Sequence, residues 1–383
     1  MPRLPRGVVA LGFVSLFMDM SSEAIHAVLP LYLMVGLGAS ALVVGLIEGA
    51  GEATAQITKL FSGHLSDRMG QRKPLAVAGY GLSALTKPLF ALAGGAGMVL
   101  VARLADRVGK GIRGAPRDAL VADLVPEAQR GAAYGLRQTL DTLGALAGPA
   151  LAMLILGLGG SVKQVFWLAL LPAVIAVAVL VWGVREPEQH VPGKVRPRLN
   201  RAALVALGRP FWTITALGSV LTLARISEAF LILKAGEVGL GIALAPVVLI
   251  LFNAVYAASA WPAGALSDRI GTRGLLAAGF GLLILADLLL AFAPGLPMVL
   301  LGVALWGLHM GLTQGLLAAE VARHAPPAQR ATAFGAFNLT TGIALLIGNA
   351  AAGGLWSLGG PGLTFALAAA VAALGLVGFL RRD

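Results

Sequence analysis

Cysteine is absent from the 383 residues, so no disulfide and no thiolate metal site can form. Charge is scarce too. Only 12% of the residues are Asp, Glu, Lys or Arg, against 58% hydrophobic, too few to surface a soluble globule of this size. Aromatics make up just 6%, little material for an aromatic-lined site. Also missing are a phosphate loop, a nucleophile elbow and an HExxH pattern, so neither an enzyme nor ATP-driven work is expected. What the chain has in abundance is apolar runs. They repeatedly exceed the roughly 20 residues needed to cross a bilayer core of about 30 Å, and therefore predict spanning helices surrounded by lipid. The 51 glycines suit that setting, where small residues let helices approach closely.

The formal charge of +11 does not point to nucleic acid, because its placement follows the membrane. Arg3 and Arg6, then Arg68, Arg72 and Lys73, then Arg130, then Lys194, Arg196, Arg198 and Arg201 fall on alternate connections. Arg269, Arg273, Arg330, Arg381 and Arg382 continue the series. The intervening short loops carry only Lys163 and Glu237. By the positive-inside rule both termini are cytoplasmic, which requires an even number of spans. The first apolar stretch, about 7–36, has no small-residue cleavage site and is taken as a span rather than a removed leader.

Gly, Pro and charged turns punctuate the apolar runs into spans near 7–36, 40–62, 74–94, 97–122, 131–158 and 163–184. A second set lies near 209–236, 241–263, 274–294, 296–323, 330–358 and 361–380. The charged, proline-containing segment 185–208 reads as a cytoplasmic linker between halves 1–184 and 209–383. An internal repeat supports the division. The stretch from Gly63 to Arg72 recurs from Gly264 to Arg273, Pro126, Gln129, Arg130 and Gly148 recur as Pro326, Gln329, Arg330 and Gly348, and Ser22-Glu23-Ala24 recurs as Ser227-Glu228-Ala229. Two six-helix bundles of an all-α, twelve-span membrane protein are the simplest account.

The repeated element Gly63, Asp67, Arg68, Gly70, Arg72, with its copy Gly264, Asp268, Arg269, Gly271, resembles the signature loop of the major facilitator superfamily. That resemblance implies a conformational latch. Arg107-Val108-Gly109-Lys110-Gly111-Ile112-Arg113-Gly114-Ala115 is similar to the superfamily's membrane-embedded arginine motif, departing from it at Lys110 and Arg113. Gly144-Ala145-Leu146-Ala147-Gly148-Pro149 resembles the motif of its antiporters, though the following glycine pair is replaced by Ala152 and Met153. Within the superfamily, Asp19-Met20-Ser21-Ser22-Glu23 with His26, the stretch from Asp106 to Asp118, and the stretch from Ala304 to Gly311 resemble bacterial nickel-resistance exporters. The histidine-rich tail that some of those carry is not present.

Ionisable groups at bilayer depth cost several kcal/mol in order of magnitude and call for a role and a partner. Asp19, Glu23 and His26 lie within about 60° on a helix. They offer a borderline ligand set for a divalent metal, or else an ion-paired or proton-relay stripe. Glu48 and Glu52, one turn apart, suit proton binding or neutralisation by the basic fourth span. There Arg103, Arg107, Lys110 and Arg117 share a face, with Asp106 and Arg113 adjoining and Asp118 and Asp141 within reach. That basic face also suits an organic or chelate anion. In the second half, His309 is a metal candidate or a histidine bonded to a neighbouring helix, and Arg225 with Glu228 reads as an intrahelical pair. The expectation is a monomeric, multi-pass transporter of the bacterial inner membrane with no cofactor, exporting a divalent cation such as nickel in exchange for protons by alternating access. A proton-coupled exporter of a drug, siderophore or other organic anion is the alternative.

Overall fold

The computed structural model describes residues 4–69, 71–126, 129–186, 201–325 and 330–381, with the backbone alone at 64, 67, 68, 201–203, 268, 330 and 331. Regular structure among the described residues is helical throughout. The elements are α1 (Arg6–His26), α2 (Leu29–Leu31) running into a π-helical turn Tyr32–Gly36, α3 (Ala41–Met69), α4 (Lys73–Leu92), α5 (Ala96–Asp123), α6 (Arg130–Gly157), α7 (Val162–Leu168) and α8 (Leu170–Gly183). Then come α9 (Arg201–Ala206), α10 (Gly208–Ala224), α11 (Glu228–Glu237), α12 (Pro246–Ile270), α13 (Thr272–Phe292), α14 (Leu296–His324) and α15 (Arg330–Leu380).

Nine described stretches are long and apolar enough to cross a membrane. The helices α3 and α5 have the length but are less apolar than these, and α15 contains two spans broken at Gly360. Among the described residues the total is twelve. Two local devices shape the ends. Gly271 adopts φ +83° between α12 and α13, a left-handed turn that favours glycine. Ser161 and Gln164 form a reciprocal capping box at the start of α7.

The chain divides into two compact units, 1–32 with 54–195 and 33–53 with 196–383. The N-terminal part of α3 thus belongs to the second unit, which the sequence halves do not anticipate. In the first unit α1 packs along α6 and α8, and α4 along α5 and α8. Its core joins Val8, Leu11, Val14 and Met18 to Tyr80, Leu120 and Leu180. In the second unit α14 packs against α12 and α13, and α15 against α10 and α13. There the start of α3 lies directly on α15: a Cβ at Gly45 would run into the carbonyl of Asn349, and one at Gly353 into that of Ala41. Small residues permit that backbone approach.

Candidate functional site

Two glycines one turn apart create the first-half site. A Cβ at Gly144 would collide with the carbonyl of Leu16, and one at Gly148 with the backbone of Met20 and Ala24. The backbone of α6 therefore lies against α1, and Asp141, three residues before Gly144, meets Asp19, three residues after Leu16. The two acids lie near enough to act on each other electrostatically, a repulsion that a proton held between them would remove.

The remaining members of the α1 stripe turn to each other. His26 Nδ1 lies 3.4 Å from a Glu23 carboxylate oxygen. Asp19, Glu23 and His26 are thus split between two partnerships, and among the described residues no three His, Asp or Glu side chains gather into a group able to hold a metal.

The glycine-rich motif of α5 has a packing logic. Gly109 faces α4, where a Cβ would meet the Gly79 carbonyl and Ser83, while Gly111 faces α3, where it would meet Thr58 and the Ala55 carbonyl. Lys110, between them on the helix, faces neither and is exposed. Its ammonium has no ion pair within 4.0 Å among the described residues, yet acts electrostatically on Asp19, Glu23 and Asp141. Arg113 is buried, its guanidinium 4.7 Å from the centre of the Tyr80 ring and donating to Ser83 Oγ at 2.6 Å. Such stacking and hydrogen bonding at once is a guanidinium property. Arg117 pairs with Asp118 at 3.0 Å and stands 4.0 Å from Asp141. Arg137, from α6, closes the ring at 3.9 Å from Asp118 and 3.7 Å from Asp141. Arg103 and Arg107 are buried on α5. On α3, Glu48 is buried and Glu52 half-buried, both on the part belonging to the second unit.

Sequence reasoning missed Lys87. Buried in α4, it pairs with Asp106 at 3.0 Å and donates to Ser22 Oγ at 3.2 Å. A lysine in the middle of an apolar run was the available signal.

In the second half, His309 is fully buried and its Nδ1 bonds the Gly279 carbonyl on α13 at 2.8 Å. Arg225 does not lie on a helix shared with Glu228. The chain breaks at 225–227, and the Arg225 guanidinium donates across to Met310 Sδ at 3.0 Å and Gln314 Oε1 at 2.9 Å on α14. The two copies of Ser-Glu-Ala consequently differ. Ser22 and Glu23 sit inside α1, whereas Ser227 caps α11, accepting from the Ala229 N–H, and Glu228 opens that helix. The Ser227 N–H donates to Asn349 Oδ1 at 2.6 Å.

Of the latch residues, Gly63 and Gly264 lie inside α3 and α12, and Arg269 is exposed. Arg72 pairs with Asp123 at 2.5 Å, and its N–H and that of Lys73 both donate to the Glu186 carboxylate, which caps α4. Gly70 and the side chains of Asp67, Arg68 and Asp268 lie outside the described residues.

Twelve spans in a duplicated arrangement, with charged groups held inside them, define a membrane transporter. Two overlapping matches, residues 11–234 and 226–383, cover the pattern of the Major Facilitator Superfamily. The chain belongs to that superfamily, and is a secondary transporter rather than an enzyme. It is 33% identical to an uncharacterised MFS-type transporter of Methanocaldococcus jannaschii over 94% of this chain and 91% of that one. A shorter stretch, 29% of this chain and 28% of its relative, is 35% identical to the multidrug resistance protein MdtH of Yersinia pestis. The crystal structure of the nucleoside transporter NupG superposes with a TM-score of 0.82 at 14% identity, covering 97% of this chain and 98% of that one. That likeness is one of fold.

Proposed function

We propose that this transporter couples its cargo to protons, that the coupling proton sits between Asp19 and Asp141, and that the cargo is an organic anion. The observation that carries this is the close approach of α6 to α1 at Gly144 and Gly148, which sets Asp141 against Asp19, with an exposed Lys110 acting on both. Around Asp19, Glu23, Asp118 and Asp141 stand Lys110, Arg113, Arg117 and Arg137. With one proton shared, four carboxyls carry three charges against four cations. That excess attracts an anion and repels a divalent cation. Losing the proton adds a negative charge within reach of the same guanidinium groups, so proton and anion favour each other's binding and travel together.

A second reading keeps nickel or another divalent cation, exported in exchange for protons. The Glu23–His26 pair at 3.4 Å supports it as a two-ligand fragment. The resemblance of Gly144–Pro149 to an antiporter motif is weaker support for exchange, because both glycines are accounted for by α6 packing on α1. In either reading alternating access by a monomer of the bacterial inner membrane, with cytoplasmic termini, supplies the mechanism.

The test is proton movement in proteoliposomes on addition of organic anions or of Ni²⁺. Expected are anion-driven proton entry, its loss in Asp141→Asn, and a KM raised about 10- to 100-fold in Lys110→Ala, the weight of one charge-assisted contact of about 1.5–3 kcal/mol. Ni²⁺ driving protons the opposite way, untouched by Lys110→Ala, favours the second reading and sinks the first.

A further inference from the structure

The duplication makes a comparison possible at one depth of each half. Lys87 on α4 and Asp287 on α13 are 200 residues apart, as are Asp106 on α5 and Trp306 on α14. Each pair joins two helices that pack along each other. In the first half the pair is ionic, Lys87 with Asp106 at 3.0 Å. In the second half the lysine position holds an acid and the acid position holds an indole. Trp306 Nε1–H donates to Asp287 Oδ1 at 3.1 Å.

Asp287 is fully buried, and its Oδ2 has no partner among the described residues. Among the described residues no cation pairs with it. On the elements packed against α13, the described ionisable side chains are His309, Glu320, Arg323 and His324 on α14 and Tyr256 and Arg269 on α12, and none pairs with Asp287. Between 332 and 380, α15 has no ionisable side chain. His309 has its ring against Trp306 and its Nδ1 on Gly279, while Glu320 engages Thr272, Arg323 and His324 at the other end of α14. Leu283, Ala286 and Leu290 on α13 and Val303 on α14 are buried as well.

From this geometry we infer that Asp287 is a proton-binding site of the second half, held as a neutral carboxylic acid that accepts from Trp306. A carboxylate here would be a bare charge in apolar packing, with a single neutral donor to offset the loss of water. Neutralisation by a proton replaces neutralisation by a lysine, so both halves keep this depth free of net charge. The site is distinct from the Asp19–Asp141 pair and independent of which cargo is carried.

Infrared difference spectra of the purified transporter in nanodiscs, wild type against Asp287→Asn, recorded from pH 5 to pH 9 in H₂O and D₂O, provide the test. Expected is a carboxylic-acid C=O band that shifts in D₂O, survives to neutral pH and is missing from Asp287→Asn. Trp306→Phe keeps the acid and should move the same band upward, because the hydrogen bond to its carbonyl is gone. Asp287→Asn should also fold with a Tm close to wild type, since the amide keeps the shape, the neutral charge and the acceptor for Trp306. The inference is overturned if the wild type shows only carboxylate bands assignable to Asp287 at neutral pH. It is equally overturned if Asp287→Asn fails to fold, or if Trp306→Phe leaves the band in place.

Discussion

Lys87→Met isolates the energetic weight of a buried ion pair. The side chains of Lys87 and Asp106 are 1% and 5% exposed, and their charged atoms are 3.0 Å apart. Methionine matches the length of the lysine stem but leaves the Asp106 carboxylate with Thr86 Oγ1, at 3.4 Å, as its remaining side-chain donor. Breaking one partner out of a buried pair costs about 3–5 kcal/mol. Arg107 and Arg113 also act on Asp106, which argues for the lower end, about 3 kcal/mol. At roughly 2–4 °C per kcal/mol for a chain of this order of size, the apparent Tm should fall by about 6–12 °C. The double variant Lys87→Met with Asp106→Asn removes both charges of the pair and should recover most of that loss. Detergent-solubilised protein, followed by tryptophan fluorescence on heating, gives both numbers. A single variant that unfolds with the wild type, or a double variant as damaged as the single one, would refute the assignment of stability to this pair.

Other consequences are simpler to read. Gly148→Val places a side chain against Met20 and Ala24, and should cost about 1–3 kcal/mol by overpacking while separating Asp19 from Asp141, so transport should fall more steeply than Tm. Asn349→Ala strips the Ser227 N–H of its acceptor, at a cost of about 1–3 kcal/mol, and hydrogen exchange should quicken at 227–230 with α10 left protected.

Much of the architecture was legible because apolar runs and turn residues alternate so regularly. Most spans drawn from the sequence start and stop within a few residues of the helices, but those at α3 and α12 stop seven residues short, because the charged signature stretches continue the helix, and the latter starts five residues early. The interruptions were not legible. The break at 225–227 depends on Arg225 reaching α14 and on Asn349 taking the Ser227 N–H, both long-range events. The repeat Ser-Glu-Ala suggested equal settings for Glu23 and Glu228, but one copy lies within a helix and the other begins one. At the site, the α1 stripe was visible from spacing, whereas its division was not. Which neighbour each acid takes is decided by Gly144 and Gly148, whose effect is to choose the helix that comes closest. Asp287 stands in an apolar run of the sequence, but its meaning emerges only against Lys87 and Asp106 in the other half.

The charge density of α5 also constrains how the protein is made. Arg103, Asp106, Arg107, Lys110, Arg113, Arg117 and Asp118 occupy one helix, and a charged residue near the centre of a span costs about 2.5–3.5 kcal/mol on insertion, against a gain of about 0.3–0.6 kcal/mol for an apolar one. Such a segment cannot leave the translocon for lipid by itself. Its partners on α4, Lys87 for Asp106 and Ser83 with Tyr80 for Arg113, emerge from the ribosome first and are waiting when it arrives. Biogenesis of this half is therefore an assembly of pairs, in which the third span acts as the solvent for the fourth.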